Sequence, residues 1–322
     1  MPDERLVAGV DLGGTKVLTL ITDSSMKEVG RDQRTSDASG GPDVTIGQMA
    51  DSVRAAANGR EIAIVGISTA GPVDLRRGLV TEPPNLHGWH NVPIAERLQD
   101  LLKIECVMQH DANCGAISEL RLGAGKGTRH MVYITLGTGV GGGLVLNGEI
   151  YDGLTGSAGE IGHMIVEPGG RVCNCGRTGC LEAMVGGHYL GLDAQDLVKA
   201  EPQGILAGLA AKAGTPADAK LLSEAADAGD KSADAVIHRA GEYLGAGLVN
   251  LINVFNPELI VMGGALLHLG ERYFGPARAV AERDSFKGPL HDVRMVAAQL
   301  GEEAPAMGAA LVAWDSLSRR GA

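Results

Sequence analysis

One short glycine-rich segment, residues 159–182, holds three of the five cysteines of the chain together with a histidine. The cysteines follow the spacing C-x-C-x4-C, and the histidine precedes the first of them by ten residues. Three thiolates and one imidazole make a complete tetrahedral shell for zinc, and a shell without an open position is typical of a structural site. A disulfide or three unused thiols are the alternatives, which the crowding of the cysteines disfavours. The predicted zinc ligands are His163, Cys173, Cys175 and Cys180.

The same segment carries two carboxylates, Glu160 and Glu182, beside the predicted metal ligands. Gly176 and Gly179 suit a loop folded tightly around an ion, because such a loop needs backbone angles that other residues resist. Zinc would hold the two carboxylates and His163 in fixed positions. The motif by itself predicts a metal site and no particular function.

Composition excludes several classes of protein. The chain has 322 residues, enough for two lobes, and its net charge of −11 disfavours a nucleic-acid-binding or membrane-surface protein, since both require a basic face. No apolar run approaches the roughly 20 residues of a membrane span, and the acidic N-terminus leads straight into a strand, so no signal peptide is expected. An odd number of cysteines without an export signal favours a reducing, cytoplasmic location.

Apolar runs alternate with helical patterns along the chain, which is typical of an α/β architecture. Residues 6–23 and 131–148 both read as strand, Gly/Thr turn, strand, and this repeat indicates two related lobes. The other predicted strands are 61–68, 104–109 and 258–262. The predicted helices are 42–58, 92–102, 112–122, 183–199 with a break at its glycine pair, 204–229 in pieces, 233–255 and 304–317.

Glycine-rich turns follow three of the strands. Glycine lets backbone N–H groups approach phosphate oxygens, and threonine adds a hydroxyl donor. No turn matches the P-loop or G-x-G-x-x-G patterns, so each taken alone is better explained as an ordinary tight turn. Two of them between strands favour a nucleotide with its phosphates between lobes, and a glycine pair after a third strand suits a nucleoside. The predicted nucleotide-binding residues are Gly13, Gly14, Thr15, Lys16, Thr135, Gly137, Thr138, Gly139, Gly141, Gly263 and Gly264.

Two aspartates at strand ends are candidates for the chemistry. Asp11 precedes the first turn, where it could hold the Mg²⁺ that accompanies a nucleotide or could cap its own turn. Asp111 lies between a strand and a helix, where it could be the helix N-cap or the general base that takes a proton from an attacking hydroxyl. Local sequence leaves both alternatives open.

Together these segments resemble the ROK family of bacterial sugar kinases, in the actin-like/hexokinase superfamily, almost from end to end. DLGGTK (11–16) and LGTGVGGG (136–143) are similar to the two phosphate motifs of the family, and HDANCGAISE (110–119) is similar to the segment with its catalytic aspartate. The most specific match is G-E-I-G-H…C-x-C-G-x-x-G-C-x-E (159–182), because few other families combine this zinc spacing with these carboxylates.

The resemblance implies a two-lobed, ribonuclease H-like α/β fold with the active site in the interlobe cleft. A smaller N-terminal lobe would comprise residues 1–117, with the C-terminal helix 304–322 packed back on it. A larger lobe, residues 118–303, would carry the zinc loop. Such proteins transfer a phosphoryl group from ATP to a sugar hydroxyl, with Mg²⁺ and structural zinc as cofactors, and the resemblance implies a homodimer or homotetramer with a hexose and a nucleotide as its partners.

The resemblance also implies roles for individual residues. Asp111 would be the base, Asp11 would serve Mg²⁺, and His163 would use one ring nitrogen for zinc and the other for sugar. The implied sugar contacts are Gly71 in AGPVD, Asn85 in PNLHGW, His110, Asp111, Glu160, His163 and Glu182.

Two departures affect the expected substrate. His110 stands where the family usually has asparagine, and the residues after CLE (180–182) differ from those of glucokinases, so the preferred epimer or substituent could differ. PNLHGW (84–89) and NVPI (91–94) resemble the glucokinase branch most, which makes glucose the expected substrate. N-acetylglucosamine, N-acetylmannosamine and other hexoses are the alternatives.

Other classes of function are also considered. Some ROK proteins are sugar-responsive repressors, but a strand that begins by Leu6 leaves no room for a preceding helix-turn-helix. A non-catalytic sugar sensor is disfavoured by the presence of Asp111. An actin-like ATPase with an iron–sulfur cluster would give a coloured preparation, whereas a zinc protein is colourless.

Overall fold

The computed structural model describes residues 4–37, 40–83 and 88–320, and the chain divides into two compact units. Unit 1 comprises Met1–Arg129, Gly143–Gly159 and Ala298–Ala322, and unit 2 comprises His130–Gly142 and Glu160–Ala297. The boundary therefore differs from the expected one at residue 117, which falls inside a helix that belongs wholly to unit 1. Unit 1 is also the longer of the two in residues, whereas the resemblance implies a smaller N-terminal lobe.

Strands and helices alternate, which confirms the α/β class. The strands are β1 (Val7–Leu12), β2 (Lys16–Thr22), β3 (Glu28–Thr35), β4 (Ile64–Thr69), β5 (Val73–Asp74), β6 (Leu79–Val80), β7 (Cys106–His110), β8 (Met131–Leu136), β9 (Val140–Leu146), β10 (Glu149–Ile150), β11 (Leu259–Gly263) and β12 (Arg294–Ala297). The helices are α1 (Gly41–Ala57), α2 (Ile94–Leu102), α3 (Asp111–Leu122), α4 (Leu181–Val185), α5 (Gly187–Ala200), α6 (Ile205–Ala213), α7 (Ala219–Asp227), α8 (Lys231–Phe255), α9 (Glu271–Asp284), α10 (Lys287–Asp292) and α11 (Ala304–Arg320). Among the described residues, no helix is both long enough and apolar enough to span a bilayer.

Unit 1 contains a five-stranded sheet with the order β3-β2-β1-β4-β7. β1 and β2 form the predicted antiparallel hairpin, and β4 runs parallel to both β1 and β7. The register pairs Asp11 with Ser68 and Thr69 with His110. Because the carboxyl ends of parallel strands meet at one edge of a sheet, this pairing brings the ends of β1, β4 and β7 to the same edge.

The C-terminal helix α11 packs on the sheet of unit 1, against β1 and β4, and also against α3. Glycines make these close approaches possible. A Cβ added at Gly66 of β4 would lie 1.9 Å from the backbone oxygen of Ala309, and one at Gly308 of α11 would lie 1.9 Å from that of Cys114. The last helix of the chain thereby contributes to the unit that begins the chain.

The second sheet has the order β10-β9-β8-β11-β12, with β11 parallel to β8 and to β12. The division between the units passes through β9, which belongs to unit 2 up to Gly142.

In unit 2 the 25-residue helix α8 begins at the N-cap Asp230, whose carboxylate accepts hydrogen bonds from the first turn, and ends at Asn256 in the left-handed conformation. α8 packs against α9, where a Cβ on Gly241 would lie 2.3 Å from the backbone oxygen of Tyr273.

Each strand and helix predicted from the sequence is present, with its ends shifted by a few residues. The predicted break at the glycine pair after residue 185 separates α4 from α5, and the region predicted to be helical in pieces forms α6 and α7. The predicted elements do not include β3, β5, β6, β10, β12, α9 and α10.

Candidate active site and metal centre

The four predicted zinc ligands converge in unit 2. Their ligand atoms all lie within 4.8 Å of one another. The Sγ atoms of Cys175 and Cys180 are 3.6 Å apart, and Sγ of Cys173 lies 3.8 Å from Nδ1 of His163. Zinc with Zn–S bonds of about 2.3 Å and a Zn–N bond of about 2.0 Å spaces its tetrahedral ligands by roughly 3.6–3.8 Å, so the donor set fits this ion. The three thiols are free rather than joined as a disulfide.

The turns of this metal loop depend on glycine, as its sequence predicts. Gly176 has a φ of +83° and Gly179 a φ of +76°, both in the left-handed region. A Cβ on Gly179 would also lie 1.7 Å from the backbone oxygen of Glu167. The backbone N–H of Cys173 donates to the Arg177 oxygen at 2.7 Å, which closes a turn that contains the second thiol, Cys175.

Glu182 joins the metal loop to the second glycine-rich turn within unit 2. It lies in the first turn of α4, two residues after the predicted ligand Cys180, and its Oε2 accepts a hydrogen bond from the backbone N–H of Val140 at 2.9 Å. A Cβ on Gly139 would lie 2.3 Å from that Oε2, so a larger residue in this turn would displace the carboxylate. Its Oε1 lies 3.7 Å from Sγ of Cys173. The sequence places both motifs but does not show this contact.

The two nitrogens of His163 face different groups. Nδ1 is directed at Cys173, whereas Nε2 lies 4.0 Å from Oε2 of Glu160. Glu160 immediately precedes the short 3-10 turn Ile161–His163, and its side chain is 41% exposed. One nitrogen is therefore available to a metal while the other stays beside an accessible carboxylate.

The second and third glycine-rich turns are neighbours in unit 2. Thr135 pairs with Gly263 across the parallel strands β8 and β11. Gly264 has a φ of +94°, and a Cβ there would lie 2.3 Å from the backbone oxygen of Leu136. The carbonyl groups of Gly137 and Thr138 accept hydrogen bonds from the backbone at the start of α5.

The first glycine-rich turn lies in unit 1 and closes the β1–β2 hairpin. The backbone N–H of Gly13 donates to the Lys16 oxygen at 2.9 Å, and both Gly14 and Thr15 are exposed. The ammonium of Lys16 forms an ion pair with Glu302 at 2.5 Å. The turn thus presents backbone and hydroxyl donors at the surface of its unit.

Asp11 is a buried carboxylate held by a neighbouring strand. Its Oδ1 accepts a hydrogen bond from the hydroxyl of Ser68 at 2.7 Å, so the carboxylate does not cap its own turn. Burial raises the pKa of Asp11 to about 7, and the negative charge of Asp111 adds to this effect, against the opposing Ser68 hydrogen bond and Lys16 charge. Burial and a neighbouring negative charge, which together raise the pKa of Asp11, favour a bound cation there.

Asp111 is the first residue of α3, at the end of β7. The N-cap of this helix is His110, and Oδ1 of Asp111 accepts only the neighbouring N–H of Ala112, at 2.7 Å, so the N-cap alternative is wrong. The side chain is 38% exposed. It is therefore an accessible carboxylate with one oxygen, Oδ2, unengaged by the described part of the chain.

Four further residues are His110, Gly71 and Asn85, which were predicted, and Asp152, which was not. The His110 side chain is buried, and its Nδ1 has no hydrogen-bond partner among the described residues but lies 3.5 Å from Oδ1 of Asp111. Gly71 lies just after β4 and is half-buried, and the prediction for Asn85 lies outside the described residues. Asp152 was not predicted, because an isolated aspartate after a short strand carries no motif. It accepts hydrogen bonds from the side chains of Gln109 and Asn113, which lie on either side of Asp111 in the sequence.

Comparisons with known proteins find similarity along nearly the whole chain. A family model described as the ROK family matches residues 7–316. A glucokinase from Thermotoga maritima is 34% identical over 314 residues, covering 97% of this chain and 98% of its own, and an N-acetylmannosamine kinase from Shigella flexneri is 31% identical over 95% and 98%. A solved structure of a ROK family glucokinase from Streptomyces griseus in complex with glucose and AMPPNP has a TM-score of 0.84 and 32% identity, covering 96% of this chain and 99% of that one. The hexokinase-type fold expected from the sequence is confirmed.

Proposed function

Because the chain belongs to the ROK family, we propose that it transfers the terminal phosphoryl group of ATP to a hydroxyl of glucose, with Asp111 as the general base. The observation that carries the proposal is the accessible carboxylate of Asp111, which is released from helix capping in a chain similar along its length to glucokinases. A general base must reach the hydroxyl proton, and Oδ2 of Asp111 has no competing partner in the described part of the chain.

Asp11 is proposed to hold Mg²⁺ with the nucleotide. Its burial and its repulsion from Asp111 both favour a nearby cation, and Mg²⁺ takes one or two carboxylates while keeping several waters. Bound Mg²⁺ neutralises charge on the phosphates during phosphoryl transfer. The exposed turn of Gly13, Gly14 and Thr15 supplies backbone and hydroxyl donors suited to phosphate oxygens.

In unit 2 the proposed role of zinc is structural. Four protein ligands leave no position for a substrate, so the ion would fix the loop and take no part in the chemistry. Glu160, Glu182 and Nε2 of His163 are the proposed acceptors for sugar hydroxyls. The glycine-rich turns at 137–139 and 263–264 are the proposed nucleotide contacts of this unit, and a homodimer or homotetramer remains part of the proposal.

A second candidate substrate is N-acetylmannosamine. One relative at 31% identity is a kinase of this sugar, and His110, which is buried beside Asp111, differs from the asparagine that the sequence resemblance leads one to expect. The two candidates share the fold and the base, so only the substrate preference separates them.

A phosphorylation screen tests both proposals. ATP consumption is measured with glucose, mannose, N-acetylglucosamine, N-acetylmannosamine, fructose and allose, and kcat/KM is expected to be highest for glucose. Asp111→Asn should lower kcat by about 10²–10⁴ while the melting temperature and glucose affinity stay near those of the wild type. The exposed Glu149→Gln serves as a control for loss of one carboxylate. Turnover by Asp111→Asn at the wild-type rate would remove Asp111 from the chemistry, and a preference for N-acetylmannosamine would replace glucose.

A further inference from the structure

A polar cluster of two buried residues and one half-buried residue brackets the proposed base in unit 1. It consists of Gln109 at the end of β7, Asn113 in the first turn of α3, and Asp152 in the segment after β10. Oδ1 of Asp152 accepts two hydrogen bonds, from Nε2 of Gln109 at 2.9 Å and from Nδ2 of Asn113 at 3.0 Å. One oxygen atom from a distant part of the chain therefore binds the residues on both sides of the pair His110-Asp111.

The cluster continues into the backbone of that pair. Oε1 of Gln109 accepts a hydrogen bond from the backbone N–H of His110 at 2.7 Å and another from Nδ2 of Asn113 at 3.3 Å. Gln109 is 6% exposed and Asn113 is fully buried. The Gln109 side chain is thus bound to Asp152 through its Nε2 atom, and its Oε1 atom holds the N-cap residue of α3.

Asn113 depends on Asp152 for its hydrogen bonding. Its Oδ1 is buried without a hydrogen-bond partner among the described residues, so its amide is held through Nδ2, to Asp152 and more weakly to Gln109. A buried amide that loses its partner carries a desolvation cost, which drives local rearrangement. Loss of the Asp152 acceptor would leave both flanking amides free to reorient.

We propose that Asp152 is a positioning residue that holds Asp111 in its reactive orientation through Gln109 and Asn113. The proposal rests on the proposed function, because it assigns Asp111 as the base. Asp152 touches neither substrate nor nucleotide in this account. It acts by fixing the strand end and the helix start that together determine where the Asp111 carboxylate points.

Three variants separate hydrogen bonding from charge and from general damage. Asp152→Ala removes the shared acceptor, whereas Asp152→Asn keeps an oxygen in the place of Oδ1 and loses only the charge. Glu149→Ala, three residues earlier and exposed, removes a carboxylate outside the cluster. Asp152→Ala should lower kcat by about 10–100-fold, since small displacements of a reacting group have effects of that size, with little change in the KM values. Asp152→Asn should regain most of the lost kcat, and Glu149→Ala should match the wild type.

A double variant distinguishes positioning from a merely structural role. In an Asp111→Ala background there is no base to orient, so adding Asp152→Ala should leave the residual turnover unchanged within about twofold. An equal loss of turnover in both backgrounds would mean that Asp152 only supports the fold and would overturn the proposal. Failure of Asp152→Asn to regain activity would overturn the acceptor role in the same way.

Hydrogen exchange of the intact variants provides a readout that does not depend on activity. The backbone N–H of His110, which donates to Gln109, should exchange faster in Asp152→Ala and at the wild-type rate in Asp152→Asn and Glu149→Ala. Unchanged exchange in Asp152→Ala would overturn the proposal. If the wild-type protein phosphorylates no hexose while this exchange pattern is observed, the proposed function fails and the positioning of residues 109–113 by Asp152 stands.

Discussion

At the scale of single residues, Asp11 shows how a residue of a proposed binding site can lower the stability of the protein that has no ligand bound. Its carboxylate is buried beside another carboxylate, and one serine hydroxyl is its only side-chain hydrogen-bond donor among the described residues. Desolvation disfavours the charged form, which is why the pKa rises from 3.8 to about 7. The free protein therefore carries an unfavourable charge at neutral pH, and a bound cation would relieve it.

This cost predicts a pH-dependent stability difference between the wild type and Asp11→Asn. Between pH values of about 4 and 7 the folded state retains a proton that the unfolded state has released, so the wild type loses stability relative to the variant as pH rises through this window. The full difference is on the order of 4 kcal/mol at 1.36 kcal/mol per pH unit. Denaturant midpoints measured without nucleotide from pH 4 to 8 test the prediction.

Asp196→Asn is the control for this measurement. The Asp196 carboxylate is fully exposed and its pKa is lowered by a hydrogen bond from Lys199, so its contribution has the opposite sign and is lost as pH falls. If the difference in stability between the wild type and Asp11→Asn were the same at every pH, the burial of the Asp11 carboxylate would carry no such cost.

At the scale of elements, the metal loop runs from the 3-10 turn Ile161–His163 to the start of α4 with no helix or strand between them, so we expect its order to depend on the ligands. Cys175→Ala should lose the zinc, measured as about one ion per chain in the wild type, together with roughly 10 °C of melting temperature and much of the sugar affinity. The control is Cys106→Ala, because Cys106 is a free cysteine of β7 in unit 1, outside the loop of unit 2 that holds the four predicted ligands. A Cys175→Ala protein that kept its zinc would contradict the assigned ligand set.

The elements that the sequence predicts are those whose pattern is local. α8 repeats apolar residues over seven turns between an aspartate N-cap and a left-handed asparagine, and both signals are contained in its own sequence. β3 reads EVGRDQRT and exposes alternate residues at the edge of the sheet, so no apolar run marks it. α9 contains Pro276, which breaks the helical pattern that its buried face would otherwise show.

The same distinction holds at the site. The zinc ligands and glycine turns are close in sequence and were predicted as groups. The bond from Gln109 to Asp152 spans 43 residues and that from Val140 to Glu182 spans 42, and each depends on tertiary packing that no local pattern encodes. The candidate ligands and turns could therefore be predicted from the residues within each motif. The contacts that hold these residues in position could not.

At the scale of the whole molecule, the chain leaves unit 1 and later re-enters it at Ala298. Glu119 binds the segment that directly follows this last entry. This carboxylate on α3 is fully buried. Its Oε1 accepts backbone hydrogen bonds from Gln299 and Leu300, each at 2.8 Å, directly after the chain re-enters unit 1 at Ala298, and its Oε2 accepts that of Ala124 at 2.8 Å. Three N–H donors compensate for burying the charge and fix the segment that leads into α11.

Removing this acceptor should destabilise unit 1 in a graded way. Glu119→Leu preserves much of the side-chain volume but removes the acceptor of three backbone N–H groups, so the free energy of unfolding should fall by about 3 kcal/mol or more. Glu119→Gln keeps one acceptor oxygen and should lose roughly half as much, while the exposed Glu149→Gln should stay within about 0.5 kcal/mol of the wild type. Denaturant unfolding of the three variants gives this order directly. If Glu119→Leu were as stable as Glu119→Gln, the side chain would act by filling space, and the return of the chain to its first sheet would be secured by the packing of α11 alone.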